Sequence, residues 1–193
     1  MLSNYLRILW NMADNTDFDL IKRFLEGDEK AFNLLVRKYQ KQIYWHARRM
    51  TGNHIDADEV TQEVLIVLYK KLKNFRFDSS LGTWLYRVTS TRSINHIRKS
   101  KVKKYLFLDD DETKKLTTNE NLYKSVEDKE KLESLDNVLK ELPPKQREVF
   151  ILRRFEELSY DEISAITGIS VGGLKANYFH ALKKVTERFE DEK

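Results

Sequence analysis

The side chains in this sequence that could take part in chemistry are better suited to binding than to catalysis. No cysteine is present, which excludes disulfides, thiol nucleophiles and thiolate metal sites. The histidines are scattered, and no His-Glu-x-x-His pair, phosphate-binding glycine loop or nucleophile elbow occurs. The acidic run Asp109–Glu112 lacks the glycine turn and distal glutamate of a calcium loop. We therefore predict no catalytic activity, no metal site and no cofactor.

Positive charge is concentrated in one segment of the chain. Between Arg76 and Tyr105, eight basic residues stand against one acid, Asp78, which gives a local net charge of +7. The net charge of the whole chain is only +4, because Leu106 to Glu141 contains eleven acids and six bases. A concentrated basic segment is typical of surfaces that contact nucleic-acid phosphates.

A second candidate binding segment runs from Ser159 to Lys184 and has the pattern of a helix-turn-helix. Ser159 and Glu162 have the spacing of a capping box, Gly168 permits a tight turn, and Ser170 can cap the second helix. We expect the second helix to bury Leu174, Tyr178, Leu182 and Val185. Its other face would offer Lys175, Asn177, His180, Lys183 and Lys184 to phosphates or base edges. The alternative is an ordinary corner between two packed helices, which the basic face makes less favourable.

The elements that must position these segments are helices. Charged residues make up 34% of the chain, with only two prolines and six glycines, so we predict an all-α fold. Asp56 and Glu59 have capping-box spacing and predict the start of a third helix. On the fourth helix we expect Leu85, Val88, Ile94 and Ile97 to pack inward. The apolar periodicity predicts helices over 18–25, 28–50, 56–73, 81–104, 135–142 and 145–155, followed by the helix-turn-helix.

The change in charge along the chain predicts two helical modules joined by an acidic flexible linker. We place an N-terminal extension at 1–17, the first module at 18–104, the linker at 105–131 and the second module at 132–193. No segment approaches the roughly 18 uninterrupted apolar residues of a membrane span. The first residues are too short an apolar run for a signal peptide. We expect a cytoplasmic protein without membrane insertion.

Three motifs occur in order along the two modules. They are Asp56-Ala-Asp-Glu-Val-Thr-Gln-Glu-Val, Phe75-Arg-Phe-Asp-Ser-Ser-Leu-Gly-Thr-Trp-Leu-Tyr-Arg, and Leu142-Pro-Pro-Lys-Gln-Arg-Glu-Val-Phe followed by the helix-turn-helix. In this order they resemble the core-polymerase-binding helix, the melting and minus-ten segment, and the minus-thirty-five module of an extracytoplasmic-function (ECF) sigma factor of the sigma-70 family.

The resemblance implies a protein that binds core RNA polymerase, directs it to specific promoters and promotes DNA opening, without catalysis of its own. The implied partners are core polymerase, promoter DNA as duplex and as melted non-template strand, and an anti-sigma factor. The free protein would be a monomer. The alternative is a stand-alone helix-turn-helix transcriptional regulator, which would usually need a dimer to read paired half-sites and leaves the basic segment without a purpose.

The resemblance also implies three groups of site residues. The core-polymerase-binding group is Asp56, Asp58, Glu59, Gln62 and Glu63. The minus-ten group is Arg76, Phe77, Asp78, Ser79, Tyr86, Arg87, Ser90, Thr91, Asn95, Arg98 and Lys99. The minus-thirty-five group is Ser170, Val171, Gly173, Lys175, Ala176, Asn177, His180, Lys183 and Lys184. Within the second group we assign a base pocket to Arg76, Phe77, Asp78 and Ser79, and we expect Phe75 and Trp84 to be mainly buried.

The sequence departs from the family pattern at several of these positions. Thr91 and Asn95 stand where many relatives carry Asn and Asp, so base preferences at the minus-ten element cannot be carried over. Gly173 stands where Thr is common, and Asn177 and His180 stand where arginines are frequent. Fewer strong phosphate contacts should follow.

Overall fold

The computed structural model describes residues 17–106 and 126–191, and within these ranges the chain is helical and contains no strand. This confirms the prediction of an all-α fold. Most of the predicted extension and most of the predicted linker, at 1–16 and 107–125, lie outside the described residues. A short 3₁₀ turn, Leu72–Asn74, follows the third helix. The helices are α1 (17–25), α2 (Glu29–Thr51), α3 (His54–Lys71), α4 (Leu81–Leu106), α5 (Val126–Glu141), α6 (Pro144–Arg154), α7 (Tyr160–Thr167) and α8 (Val171–Asp191).

The N-terminal module is a bundle in which α2 packs against both α3 and α4. Apolar residues recur about every four positions along α2, so one continuous stripe faces the core. Short α1 closes one side of the bundle, and the buried Asp17 accepts hydrogen bonds from Tyr39 and from Lys38 of α2. The fully buried core side chains include Ile21, Leu35, Ile43, Val60, Val64, Leu68 and Leu85.

The start of α3 differs from the prediction. Asn53, not Asp56, is the N-cap: its backbone is extended and its side-chain oxygen accepts from the Asp56 N–H at 2.8 Å. The Asn53 side-chain amide donates in return to the Asp56 carboxylate at 2.6 Å. Asp56 therefore lies within the first turn.

The C-terminal module consists of α5 to α8, and its last two helices form the predicted helix-turn-helix. The capping box between Ser159 and Glu162 is present, and Gly168 has the left-handed conformation at φ 73° that the turn requires. Two expectations for α8 differ from the structure: Leu182 is 41% exposed, with Ala181 buried in its place, and Tyr178 is only half-buried. The small side chain of Ala181 lies in the cluster of α5, α6 and α8, beside Phe150.

The two modules pack directly against each other. Helix α2 contacts α5 and α6, and α4 contacts α7. Arg48 and Asp136 form a nearly buried ion pair at 2.7 Å across this interface. Arg147 of α6 donates to the carbonyl of Met50 at the end of α2 and, on its own side, to the carbonyls of Lys140 and Leu142. The sequence predicted two modules but not this contact.

Arg147 generates a prediction about stability. Its guanidinium is buried, and burial lowers its pKa to about 10, so it is charged at neutral pH and satisfies carbonyl groups at the ends of two helices. Replacing it by leucine leaves these acceptors without a donor. We expect Arg147→Leu to reduce the free energy of unfolding by roughly 3 kcal/mol, measured by urea denaturation.

Arg154 provides the matched control, because it is an exposed arginine on the same helix. Arg154→Leu should change the free energy of unfolding by less than about 0.5 kcal/mol. Equal stability of the two variants would show that the buried guanidinium does not hold the helix ends.

Candidate nucleic-acid interface

The loop between the 3₁₀ turn and α4 forms a small aromatic platform. Phe77 has a left-handed backbone at φ 58°, a conformation that costs a bulky residue about 1–2 kcal/mol. Its ring is 46% exposed and contacts Phe18 and Phe75, with centroid separations of 5.1 and 4.8 Å. Trp84 lies on the far side of Phe75 at 6.1 Å. Ring contacts therefore hold the loop in a strained, outward-facing shape.

Beside this platform is an open cavity of about 400 Å³. Arg76, Asp78 and Ser79 line it, as does Arg87 from α4. Phe77, which we grouped with them from the sequence, does not line it, because its ring turns toward Phe18. Phe75 and Trp84 do line the cavity. They are half-buried, and so are less enclosed than expected.

Helix α4 presents most of the expected residues on its surface. Arg87, Thr91, Asn95, Arg98 and Lys99 are exposed. Arg87 also lines the cavity, and Thr91, Asn95 and Lys99 follow it at spacings of four residues along one face of α4.

Ser90 is separate from that surface. It is only 1% exposed, and its hydroxyl lies 2.8 Å from the Nε2 atom of His46 where α4 crosses α2. The fully buried positions around it are Leu85, Thr89 and Ser93. Val88, Ile94 and Ile97, expected to point inward, are only half-buried. The apolar periodicity did not predict which face of α4 is buried. Small hydroxyl side chains line the crossing with α2, and a search for apolar residues does not detect them.

The first turns of α3 present a mixed acidic and apolar surface. Glu59 and Gln62 are exposed and lie in one stripe with Ile55 and Ile66, which are 49% and 53% exposed. The two isoleucines were missed by sequence reasoning, which looked only at charge. Ile55, Glu59, Gln62 and Ile66 are spaced by four, three and four positions. This helical spacing would have identified the two isoleucines as part of the stripe.

Two acids of α3 are tied to α4. Asp56 lies 3.1 Å from Nε2 of His96, and Glu63 lies 3.4 Å from Arg92. Asp58 instead pairs with His54 on its own helix at 3.3 Å. The acidic surface is thus joined directly to the basic helix.

Helix α8 presents its basic side chains to solvent. Lys175, His180, Lys183 and Lys184 are exposed, and Ala176 lies among them. Ser170 accepts from the Gly173 N–H at 3.3 Å, and Asn177 donates to the Gly173 carbonyl at 2.9 Å. Val171 and Asn177 are half-buried.

Two features of α8 were not foreseen. Phe179 is strongly exposed beside the lysines, next to the exposed Leu182. A Cβ atom at Gly173 would lie 3.1 Å from the Ile169 side chain that fills the turn, so a larger residue there would push Ile169.

The polar contacts between the modules involve two of the expected minus-ten residues. Tyr86 donates to the carboxylate of Glu156 at 2.6 Å, and Arg87 donates to the backbone carbonyls of Ala165 and Ile166. Burial, with the hydrogen bond to Glu156, raises the pKa of Tyr86 far above its usual range. Burial alone would raise the pKa of Glu156, but the nearby His46 side chain, the hydrogen bond from Tyr86 and the charge of Arg49 outweigh burial and lower that pKa. A neutral phenol thus faces an ionised carboxylate.

Comparison with known proteins decides the family. Residues 35–102 match the Sigma-70 region 2 family, and residues 132–185 match the Sigma-70 region 4 family. The RNA polymerase sigma-H factor of Pseudomonas aeruginosa is 30% identical over 93% of this chain and 96% of its own. The ECF RNA polymerase sigma factor SigW of Bacillus subtilis is 30% identical over 89% and 95%. The chain belongs to the ECF sigma factors of the sigma-70 family.

Solved structures agree with the fold of this sigma factor. CnrH in complex with the cytosolic domain of CnrY superimposes with a TM-score of 0.67 at 19% identity, covering 92% of this chain and 99% of that one. The sigma factor RpoE of Bartonella quintana, in complex with the anti-sigma factor NepR, gives 0.66 at 22% identity, covering 85% and 99%.

Within the described part of this sigma factor, no group of three histidine, aspartate or glutamate side chains is placed to hold a metal ion. In the same ranges, no helix is long and apolar enough to cross a membrane.

The lysines of α8 generate a prediction about DNA binding. Replacing Lys175, Lys183 and Lys184 together by glutamine removes three exposed charges from α8. Each lost phosphate contact should reduce the slope of log affinity against log salt by about 0.9. We expect a slope up to about 2.7 units shallower, measured by fluorescence anisotropy of the full chain on duplex DNA.

The control variant carries glutamine at Lys22, Lys30 and Lys70, three exposed lysines of the N-terminal module. Its salt slope should match that of the unaltered chain. If the slope of log affinity against log salt becomes shallower by the same amount in both triple variants, α8 is not the surface that binds the duplex.

Proposed function

We propose that this sigma factor contacts the transcription machinery through three surfaces. The acidic stripe of α3 binds core RNA polymerase. The cavity before α4 and the exposed face of α4 bind the minus-ten element, and α8 binds the minus-thirty-five element. The observation that carries the proposal is the adjacency of an acidic stripe and a basic helix in a region 2 module, followed by a basic recognition helix in a region 4 module.

The stripe on α3 has the composition of a docking surface for a basic helix. Ile55 and Ile66 supply apolar area at either end, and Glu59 and Gln62 supply charge and hydrogen bonding between them. Protein interfaces commonly combine an apolar contact with complementary charge, because the charge selects the partner and the apolar area gives affinity. Asp56, Asp58 and Glu63 surround the stripe and complete the negative surface.

The test introduces positive charge into the stripe. We expect Glu59→Lys combined with Gln62→Lys to weaken binding to core polymerase at least tenfold, because two positive side chains would face a basic partner. The readouts are co-elution with core polymerase and sequencing of the transcripts made by core polymerase with each form.

Glu26→Lys, at an exposed acid in the turn after α1, provides the control and should leave binding and transcripts unchanged. Specific transcripts from the double variant would place the polymerase contact elsewhere. Failure of the unaltered chain to associate with core polymerase would contradict the proposal as a whole.

The cavity before α4 fits the task of holding an unstacked base. Phe75 and Trp84 provide ring surface in its wall, and Asp78, Ser79 and Arg76 provide groups for base edges. An opened duplex needs such a combination, since a base removed from the stack loses both its neighbours and its pairing partner. Phe77 supports the loop from outside the cavity through Phe18 and Phe75.

The cavity generates a prediction about promoter opening. Asp78→Ala removes an acceptor for base-edge donors and should reduce promoter opening by the polymerase holoenzyme roughly tenfold, since one good base contact is worth about 1–3 kcal/mol. Permanganate reactivity of promoter thymines measures the opening.

Asp19→Ala, at an exposed acid of α1, is the control and should open DNA normally. Both variants should still recruit polymerase to the duplex. Normal opening by Asp78→Ala would exclude this carboxylate from the base pocket.

On α8 we assign the minus-thirty-five contacts to Ser170, Val171, Gly173, Lys175, Ala176, Asn177, His180, Lys183 and Lys184. The exposed lysines and His180 support this assignment. In the present arrangement Asn177 is engaged with the backbone of its own helix, so it must turn outward to read a base. We infer further that the protein acts in the cytoplasm and that an anti-sigma factor regulates it, because two solved proteins of the same fold are bound to the cytosolic domain of CnrY and to NepR.

A further inference from the structure

Helix α1 carries an exposed apolar face at one side of the N-terminal module. Phe18 and Leu25 are 46% and 52% exposed, and they are seven positions apart, so they lie about two turns apart on the same side of the helix. Phe77 of the loop before α4 extends this face, because its ring lies 5.1 Å from that of Phe18 and is equally exposed. We call Phe18, Leu25 and Phe77 the α1 face.

A row of aromatic rings connects the α1 face to the cavity before α4. The Phe77 ring lies 4.8 Å from that of Phe75, which in turn lies 6.1 Å from Trp84. Phe75 and Trp84 line the cavity, whereas Phe77 does not. The left-handed backbone of Phe77 at φ 58° persists only where surrounding contacts fix it. An apolar group packed on the α1 face would supply such contacts from the exposed side.

Residues 1–16, which lie outside the described residues, join the chain directly beside the α1 face. Asp17, the first residue of α1, is buried, and its carboxylate accepts from Lys38 and Tyr39 of α2. Its place against the bundle is therefore fixed, and Phe18 is the next residue. Covalent attachment here gives residues 1–16 an effective concentration at the α1 face on the order of millimolar, against which any separate partner must compete.

The sequence of residues 1–16 suits an apolar surface. Apolar residues recur at the spacing of one helix side, at Leu2, Tyr5, Leu6 and Leu9. Polar residues fall on the opposite side of such a helix, at Ser3, Asn4, Arg7, Asn11 and Asp14. One arginine and one aspartate leave the segment without net side-chain charge. Segments that stay unpacked are typically charged and poor in large apolar residues, so this composition favours packing.

We propose that residues 2–13 form an amphipathic helix that packs on the α1 face, with Asp14-Asn15-Thr16 forming the turn that reverses the chain before α1. Aspartate and asparagine are common in turns, because their side chains hydrogen-bond to the nearby backbone. Packing removes the exposed rings from water, which stabilises the left-handed conformation of Phe77. Because Phe77 contacts Phe75, the N-terminal segment supports the wall of the cavity from its far side.

The first test measures the proximity of this segment to α1. The chain contains no cysteine, so Ser3→Cys and Glu26→Cys introduce one thiol at the far end of the segment and one directly after α1. In the free full chain, a short bismaleimide should link the two thiols within one molecule. Each linkage rate is normalised to the reaction of the same thiols with N-ethylmaleimide. Leu6→Asp with Leu9→Asp places two charges on the apolar side of the segment and should slow this linkage about tenfold, since an unpaired charge resists burial.

Two further variants provide the controls. Asn4→Asp with Asn11→Asp adds the same two charges on the polar side and should leave the linkage rate unchanged. Leu25→Asp changes the α1 face instead of the segment, at an exposed position, and should slow the linkage to the same extent as the first double variant. Equal rates in the two double variants would overturn the docking. Linkage between two molecules would assign the face to a second copy of the chain and would also overturn it.

The second test measures hydrogen exchange at the loop before α4 in the full chain. The amides of Phe75, Thr83 and Trp84 donate hydrogen bonds at the two ends of this loop, so their exchange reports its opening. Leu6→Asp with Leu9→Asp should raise these exchange rates about tenfold over those of the polar-side variant, which is equivalent to about 1.4 kcal/mol. Unchanged exchange would overturn the support of the loop. Protection of these amides that appears only after core polymerase is added would assign the face to the polymerase and overturn the proposal.

Discussion

The C-terminal end of α2 is the constraint on which the arrangement of the molecule depends. Its apolar stripe builds the core of the N-terminal module, while Arg48 and Arg49 face the other module. A charge removed from water requires a close partner, and removing that partner costs far more than the pair itself contributes. Each arginine is therefore matched by one acid, Asp136 or Glu156, which gives the contact one defined geometry.

Helix α4 packs against both α2 and α3 and also presents an exposed basic face. Its inner face meets α2 through Leu85, Thr89 and Ser93, and the small side chains of the threonine and the serine allow close packing. The opposite face of α4 carries the exposed basic side chains. On the edge that faces α3, His96 lies against Asp56. The surfaces proposed to bind polymerase and DNA thus share side-chain contacts. A partner that engages the acids of α3 acts on groups that position α4.

Local structure was largely readable from the chain. The stripe of α2, the capping box at Ser159 and the turn at Gly168 all follow the predicted pattern. The cap of α3 was placed three residues too late, and the other errors fall where tertiary packing overrides a local rule. Ser90 is buried because it meets His46, a residue 44 positions away, and Ala181 is buried ahead of Leu182 in the cluster around Phe150.

The sequence by itself determined the helices, the caps of the helix-turn-helix, the placement of charge and the family, because these depend on patterns within a few residues or on short motifs. Only the tertiary structure decided how the modules meet. Arg48 and Asp136 are 88 positions apart, and Arg49 and Glu156 are 107 apart. No periodicity or spacing pairs such residues, since each is an ordinary surface charge in its own helix or loop. Their partnership exists only because the modules pack and exclude water from the space between them.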